Sequence, residues 1–100
     1  MSIRHIVIWN LVATDDAGKA HAVADLQRTL EPLVDQIPEL RSLTVTPNVA
    51  YVGVNSDAVL VAEFASLEDL EIYAQHPLHV AAGAAIKPLC ASRVAIDIEF

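Results

Sequence analysis

The sequence predicts an α+β fold of the ferredoxin-like type, with the order β-α-β-β-α-β and an antiparallel four-stranded sheet. Apolar segments rich in β-branched residues alternate with segments whose apolar residues recur at three- and four-residue steps, as strands and amphipathic helices do. A cluster of Gly, Asn, Ser and Asp at 53–57 predicts a hairpin turn between the two middle strands. The length of 100 residues favours a single domain, residues 1–100.

The first half of the chain supplies one strand, one helix and the start of a hairpin. Residues 3–12 contain β-branched and aromatic types without Gly or Pro, which is typical of a strand. Residues 17–36 have one apolar helical face, and Pro32 should kink that helix or end it early. Residues 43–54 read as the second strand, with an interruption at Pro47.

The second half repeats the pattern with a broken helix. Residues 58–65 form the third predicted strand, and Ser66 is placed to cap the helix that follows. That helix should end near Gln75, and a second short helix is expected over 78–89. Residues 93–100 are the last strand.

Both faces of the predicted sheet are apolar. In the first strand Val7 and Trp9 point one way, while Ile6 and Ile8 point the other. A sheet with one face in water alternates apolar and polar residues, and this one does not. Since a large exposed apolar face marks an interface, the sequence predicts a two-fold homodimer joined through the open sheet face.

Composition excludes several classes of function. The formal net charge of −7, with six scattered Lys and Arg residues, argues against nucleic-acid binding. No apolar run approaches the roughly 20 residues that span a bilayer, so no membrane partner is expected. The N-terminus lacks signal-peptide architecture, which favours a cytoplasmic location. The single cysteine, Cys90, permits no internal disulfide and is expected to be a buried, inert thiol.

Two histidines and a tyrosine lie close together where the second helix breaks, in the segment 73–79. His79 falls in the first turn after the break, where the helix N-terminus disfavours the charged imidazolium and favours a neutral proton acceptor. Tyr73 could polarise a substrate oxygen, and His5 on the first strand shares the phase of the core-facing residues. The alternative stays open that His76 only ends the helix and that Tyr73 and His79 are satisfied polar members of the core.

A metal site is a weaker interpretation of the same histidines. His5, His76 and His79 could supply three imidazoles, but no HExxH or cysteine-rich spacing accompanies them. The three glycines are isolated and form no phosphate-binding loop. We therefore predict neither a metal nor another cofactor.

The sequence resembles the stress-responsive dimeric A/B barrel (Dabb) family over essentially its whole length. The segments that carry the resemblance are Ile3-Arg4-His5-Ile6-Val7, Ile37-Pro38, Phe64-Ala65-Ser66, Tyr73-x-x-His76-Pro77-x-His79-Val80, Lys87-Pro88 and a last strand with Asp97. The resemblance implies a ferredoxin-like protomer, a dimeric α+β barrel made from two sheets, and a cavity between sheet and helices in each protomer.

A plant branch of this family, the olivetolic-acid-cyclase-like proteins, folds linear polyketides by aldol condensation without a metal or organic cofactor. By resemblance, His79 is the general base and Tyr73 steadies the carbonyl or enolate oxygen. Two departures distinguish this chain: Ala58 stands where the plant cyclases have a further histidine, and Leu26 replaces a larger aromatic side chain on the first helix.

Two functions from different classes follow. The first is a homodimer that binds a small apolar or polyketide-like ligand, with cyclase-like chemistry. Its expected pocket residues, beside the catalytic His79 and Tyr73, are His5, Val7, Trp9, Leu26, Leu60, His76 and Gly83. The alternative is a non-catalytic structural or stress-protective homodimer in which these residues satisfy one another.

Overall fold

One antiparallel sheet packs against three helices in the computed structural model, which describes residues 1–100. The strands are β1 (Ile3–Leu11), β2 (Ser42–Pro47), β3 (Ala58–Phe64) and β4 (Cys90–Glu99). The helices are α1 (Asp16–Leu30), α2 (Leu67–Gln75) and α3 (Pro77–Ile86), and short 3₁₀ turns cover Glu31–Asp35 and Lys87–Leu89. The sheet order is β2-β3-β1-β4 with every neighbouring pair antiparallel, so the predicted ferredoxin-like α+β class is confirmed.

Local chemistry sets the helix boundaries. The Asp15 carboxylate accepts a hydrogen bond from the Gly18 N–H at the start of α1, and the Ser66 hydroxyl accepts one from the Asp69 N–H at the start of α2. The α1 helix ends at Leu30 and continues as a 3₁₀ turn, the early end that a proline at position 32 favours.

Two predicted strand boundaries were wrong. The second strand ends at Pro47 instead of running to 54, and residues 48–57 form a loop in which Tyr51 and Gly53 have φ angles of 50° and 89°. Proline donates no ladder hydrogen bond and these positive φ angles are incompatible with a strand. The last strand begins at Cys90, three residues before the predicted start at 93, because Leu11 pairs with Cys90 across a bulge in β4 that leaves Ala91 unpaired.

Asp57 ties the end of that loop to β1 and α1. Its carboxylate accepts a hydrogen bond from the Leu11 N–H at 2.8 Å and lies 3.0 Å from the Lys19 ammonium. Burial raises the pKa of this carboxyl, but the Leu11 hydrogen bond and the Lys19 charge outweigh burial and hold the pKa below 3.8. The ionised form of Asp57 therefore stabilises the fold.

We expect Asp57→Asn to lower the free energy of unfolding by about 1–3 kcal/mol at neutral pH, since it weakens contacts to two elements. A depressed pKa stabilises the fold fully above the unfolded value of 3.8, and this contribution disappears as the pH falls through the folded pKa. The difference between wild type and variant in urea unfolding should therefore shrink in strong acid. An equal difference at neutral and acid pH would contradict this role.

The helices cover one face of the sheet and leave the other open. Apolar side chains from β3, β1 and β4 form two rows across the open face: Val61, Ile6 and Ile96 in one, and Val59, Ile8 and Val94 in the other. Ile96 is 58% exposed in the protomer and Val94 is 62% exposed. This second apolar face is the one that the strand phases predict. None of the helices has the length and apolar composition needed to cross a membrane.

Candidate ligand cavity

A cavity of about 450 Å³ lies between the helix-facing side of the sheet and α3. Its volume falls in the range of roughly 300–1,000 Å³ that small-molecule sites occupy. Most of its wall is apolar, with a few polar and charged groups from both layers. The lining residues are His5, Val7, Trp9, Leu30, Leu60, Tyr73, His79, Gly83, Ile86, Lys87, Cys90, Ser92 and Arg93.

Strand alternation and an uneven helix layer create this space. His5, Val7 and Trp9 alternate along β1 and so share its helix-facing side. The helices bury the corresponding residues of β2 and β3, whereas β4 is exposed along nearly its whole length. The cavity therefore lies beside an uncovered sheet edge. Above it, a Cβ built on Gly83 would meet no atom within 4 Å.

His79 lies in the first turn of α3, after the proline that begins this helix. Its Nδ1 is 3.0 Å from the carbonyl oxygen of Ala74. A carbonyl oxygen only accepts, so Nδ1 carries the proton and Nε2 is the acceptor of the neutral ring. Burial lowers the pKa of His79 below 6.5, and the charges of His5, Arg93 and His76 lower it further, against the Ala74 hydrogen bond. The ring is therefore a neutral proton acceptor at physiological pH.

Tyr73 is buried beside His79, with 2% of its surface exposed. Its ring centroid is 5.0 Å from that of Phe64 and 4.2 Å from that of His79. Burial raises the pKa of Tyr73 to about 12, although the charge of Arg93 opposes the change. The phenol therefore stays protonated and can donate a hydrogen bond to a ligand oxygen.

His5 and Asp97 form a pair across β1 and β4. They are direct partners in the strand register, and His5 Nδ1 lies 2.5 Å from Asp97 Oδ1. The carboxylate only accepts, so the His5 Nδ1–H donates to Asp97 in this contact. His5 is only 13% exposed, and the pair fixes its ring orientation at the cavity wall.

Two of the predicted pocket residues lie outside the cavity. Leu26 lies on the buried face of α1 and is fully enclosed in the hydrophobic core, so it does not border the cavity. The His76 ring turns back to cap α3, and its Nδ1 accepts a hydrogen bond from the Leu78 N–H at 3.1 Å. The structure brings the other predicted positions together at the cavity: His5, Val7, Trp9, Leu60, Tyr73, His79 and Gly83.

Six further residues line the cavity without having been predicted: Leu30, Ile86, Lys87, Cys90, Ser92 and Arg93. Lys87 lies in the 3₁₀ turn after α3, and Cys90, Ser92 and Arg93 lie at the start of β4, which begins earlier than expected. The sequence could have placed Arg93 at the cavity, because it lies four residues before Asp97 on the same strand and therefore points to the same face of the sheet. Cys90 is half-buried at the cavity wall, and burial raises the pKa of its thiol.

The histidines do not converge on a common metal position. No three histidine, cysteine or carboxylate side chains lie close enough together to hold a metal ion. His76 faces its own helix N-terminus, while the Nδ1 atoms of His5 and His79 contact protein oxygens. The arrangement instead places polar groups beside an apolar wall, which suits an organic ligand.

Comparison with known proteins identifies the family. The sequence matches the Stress responsive A/B Barrel Domain (Dabb) family over residues 3–100. The chain belongs to the Dabb family. Among curated proteins, none is significantly similar to this Dabb protein.

Solved structures share the fold of this Dabb protein. A dimeric protein of unknown function from Bacteroides fragilis is 31% identical with a TM-score of 0.85, and the match covers 99% of this chain and 96% of that one. A dimeric ferredoxin-like protein of unknown function from Thermobifida fusca is 29% identical with a TM-score of 0.78, over 100% and 92% of the two chains. A hydroxynitrile lyase from Passiflora edulis is 16% identical with a TM-score of 0.74, over 97% and 91%, which shows a common fold.

Proposed function

We propose that this Dabb protein is a homodimer that binds a small organic carbonyl compound in the cavity of each protomer and catalyses aldol-type proton transfer and ring closure. The observation that carries the proposal is the pair formed by His79 and Tyr73 at the wall of an apolar cavity. One is a neutral imidazole with a free acceptor nitrogen, and the other is a phenol that stays protonated. A base beside an oxygen-binding donor is what enolate formation requires.

The chemistry uses these two side chains directly. Nε2 of His79 takes a proton from the carbon next to a ligand carbonyl, and the electrons of that C–H bond move to the carbonyl oxygen. The Tyr73 hydroxyl donates a hydrogen bond to the oxygen as it becomes negative. The enolate carbon then attacks a second carbonyl of the same molecule, forming a C–C bond, and the protonated His79 returns its proton to the new alkoxide. Atoms and charge balance without a metal or an organic cofactor.

The apolar wall supports this reaction in two ways. It shelters the enolate from water, which strengthens the Tyr73 hydrogen bond. It also folds a flexible chain of carbonyls against Trp9, Leu60 and Ile86, so that the reacting carbons stay close. Tyr73 is held rigidly for its role because Phe64 and His79 pack against its ring.

The homodimer rests on the open sheet face. Its two apolar rows, Val61–Ile6–Ile96 and Val59–Ile8–Val94, would pack against the same rows of a second copy, as in face-to-face sheet packing. The relatives from Bacteroides fragilis and Thermobifida fusca are described as dimeric. Two sheets joined in this way would leave both cavities on the outer, helix-covered sides.

Deuterium incorporation into methyl hexyl ketone tests the proton-transfer step. In heavy water the protein should accelerate exchange next to the carbonyl, and the rate should rise with pH to a plateau, with its midpoint below the ordinary histidine value of 6.5. His79→Gln should slow exchange by about 100-fold, the low end for a lost general base. Exchange no faster than in buffer, or unchanged in His79→Gln, would reject the proposed catalysis.

Tyr73→Phe provides a matched variant, because it removes the hydroxyl and keeps the ring between its two neighbours. Only burial and the charge of Arg93 shift the pKa of Tyr73, with no protein hydrogen bond to its oxygen. We expect a stability close to wild type and a loss of about 100-fold in exchange rate, as for removal of an oxyanion donor. A fully active Tyr73→Phe would exclude the tyrosine from the chemistry.

The non-catalytic homodimer is the second candidate, and the close packing of the tilted rings of Phe64, Tyr73 and His79 favours it. In that case these side chains serve packing alone. His79→Ala should then destabilise the fold by about 0.5–1.5 kcal/mol, the net value of one hydrogen bond, because the exposed Ala74 carbonyl exchanges its partner for water. No carbonyl compound should raise the melting temperature of the wild type. A ligand-induced rise that Tyr73→Phe abolishes would favour the catalytic proposal instead.

A further inference from the structure

We propose that the ligand of this cavity is an apolar molecule that bears one carboxylate, which Arg93 and Lys87 bind. The inference rests on the proposed binding function and names its substrate class. It comes from the distribution of charge around the cavity, which differs from that of the rest of the chain.

The cavity lining carries positive charges although the chain as a whole is acidic. The chain has 13 acidic and 6 basic residues, a formal net charge of −7. The lining nevertheless contains Lys87 and Arg93 and no aspartate or glutamate. Asp97, which contacts His5 at the cavity wall, is held by that ring and is not itself a lining residue. A lining with two cations and no carboxylate favours an anion at that position.

The two cavity cations are also without carboxylate partners. Three of the other basic residues contact acids: Arg4 pairs with Glu63, Lys19 with Asp57 and Arg28 with Asp25. The fourth, Arg41, hydrogen-bonds the Ser2 hydroxyl away from the cavity. Neither Lys87 nor Arg93 takes part in any ion pair of the chain. Their charges are free to bind a ligand.

The position of Arg93 places the anion within reach of the proposed chemistry. Arg93 pairs with Trp9 in the strand register, on the helix-facing side of the sheet. Its positive charge acts on both Tyr73 and His79: it offsets part of the rise that burial causes in the pKa of Tyr73, and it adds to the lowering of the pKa of His79. A single ligand can therefore direct its carboxylate to Arg93 and a carbonyl to Tyr73. The planar guanidinium suits a carboxylate, which it can bind through two parallel hydrogen bonds.

A single carboxylate fits better than a phosphate group or a polyanion. The lining offers two cations and no glycine-rich backbone cradle, and seven of its 13 residues are hydrophobic. A phosphate would bring up to two charges and three acceptor oxygens into this mainly apolar space. The negative charge of the whole chain would also repel a polyanion more strongly than a mono-anion.

Calorimetric titration with two probes of equal chain length, octanoate and octanol, tests the proposal. We expect octanoate to bind about tenfold more tightly than octanol, or better, as charge-assisted hydrogen bonds allow. Arg93→Gln combined with Lys87→Gln should weaken octanoate at least to the level of octanol and leave octanol unchanged. Both side chains are exposed, and circular dichroism would verify that the variant keeps its fold.

Arg41→Gln is the matched control, because it removes an equal charge remote from the cavity. It should leave octanoate affinity within about twofold of wild type, since neither Arg41 nor its partner Ser2 lines the cavity and salt screens interactions between separated exposed charges. Equal affinity for the two probes, an equal loss in Arg41→Gln, or tighter binding of octyl phosphate than of octanoate would each overturn the carboxylate assignment while the cavity remains a binding site. If neither probe produces heat or alters the emission of Trp9, the sole tryptophan, both this assignment and the proposed binding function fail.

Discussion

Ile96→Asp is expected to separate the proposed homodimer into monomers. Ile96 lies in the row Val61–Ile6–Ile96 on the open sheet face and is 58% exposed in the protomer. In a two-fold interface each substitution occurs twice, so two carboxylates would be buried against apolar side chains. A buried unpaired charge costs several kcal/mol, and each 1.4 kcal/mol is tenfold, so the dissociation constant should rise about 1,000-fold or more.

Sedimentation equilibrium over a range of protein concentrations would measure this change. Ala95→Asp is the matched control, because it adds the same charge one residue away, where strand alternation points the side chain to the opposite face of the sheet. It should leave the association constant close to that of wild type. A dimer that survives Ile96→Asp would show that the chain associates through another surface, and a dimer lost equally in both variants would show a general charge effect.

The fold was predictable because independent local signals agree. The Ser66 cap, the early end of α1 before Pro32 and the two-residue alternation in β1 each specify one element, and together they allow few topologies. The apolar open face was visible for the same reason, since Ile6 and Ile8 alternate with residues that must face the helices.

The errors have equally local causes. Residues 48–54 are apolar enough to resemble a strand, yet Pro47 ends the hydrogen-bonded ladder. The positive φ of Tyr51 cannot be predicted from the residue composition of this segment. Leu26 lies on the same apolar face of α1 as Leu30, which does line the cavity. Whether such a side chain borders a cavity or the solid core depends on how the helix crosses the sheet.

The sequence did not predict that Lys87 and Arg93 line the cavity, because their place there depends on the part of the sheet that the helices leave uncovered. Sequence patterns show which way a strand residue points, but they do not show that α3 stops short of β4. Arg93 and Lys87 therefore look like ordinary surface residues until the exposed edge is seen. In the His76–His79 segment the proline and the spacing of the histidines predicted a helix break. The hydrogen bond by which His76 caps α3 could be seen only in the structure.

Gly83→Leu is expected to abolish ligand binding and proton exchange while the protein stays folded. Gly83 lies in the interior of α3, and its φ is not positive, so the backbone does not require glycine there. A Cβ at this position would meet no atom within 4 Å. The leucine side chain would therefore extend into the cavity between His79 and the sheet instead of into packed core.

The companion variant Gly83→Ala separates stability from function. Glycine inside a helix costs about 1 kcal/mol relative to alanine, so Gly83→Ala should raise the free energy of unfolding by about that amount. No steric contact requires glycine at position 83, although glycine weakens the helix there. The presence of glycine is explained if a ligand occupies the space that a side chain would fill. Gly83→Ala should therefore be more stable than wild type and, at most, bind slightly more weakly.

Ala84→Leu is the control, because it places the same leucine side chain at the next, exposed position of the same helix. Octanoate titration, ketone exchange and urea unfolding on the three variants would give a clear pattern. Loss of binding only in Gly83→Leu, with unfolding energies at or above wild type, assigns the cavity as the site. If Gly83→Leu binds and exchanges like wild type, the ligand lies elsewhere, and the His79–Tyr73 pair loses the space in which its proposed chemistry takes place.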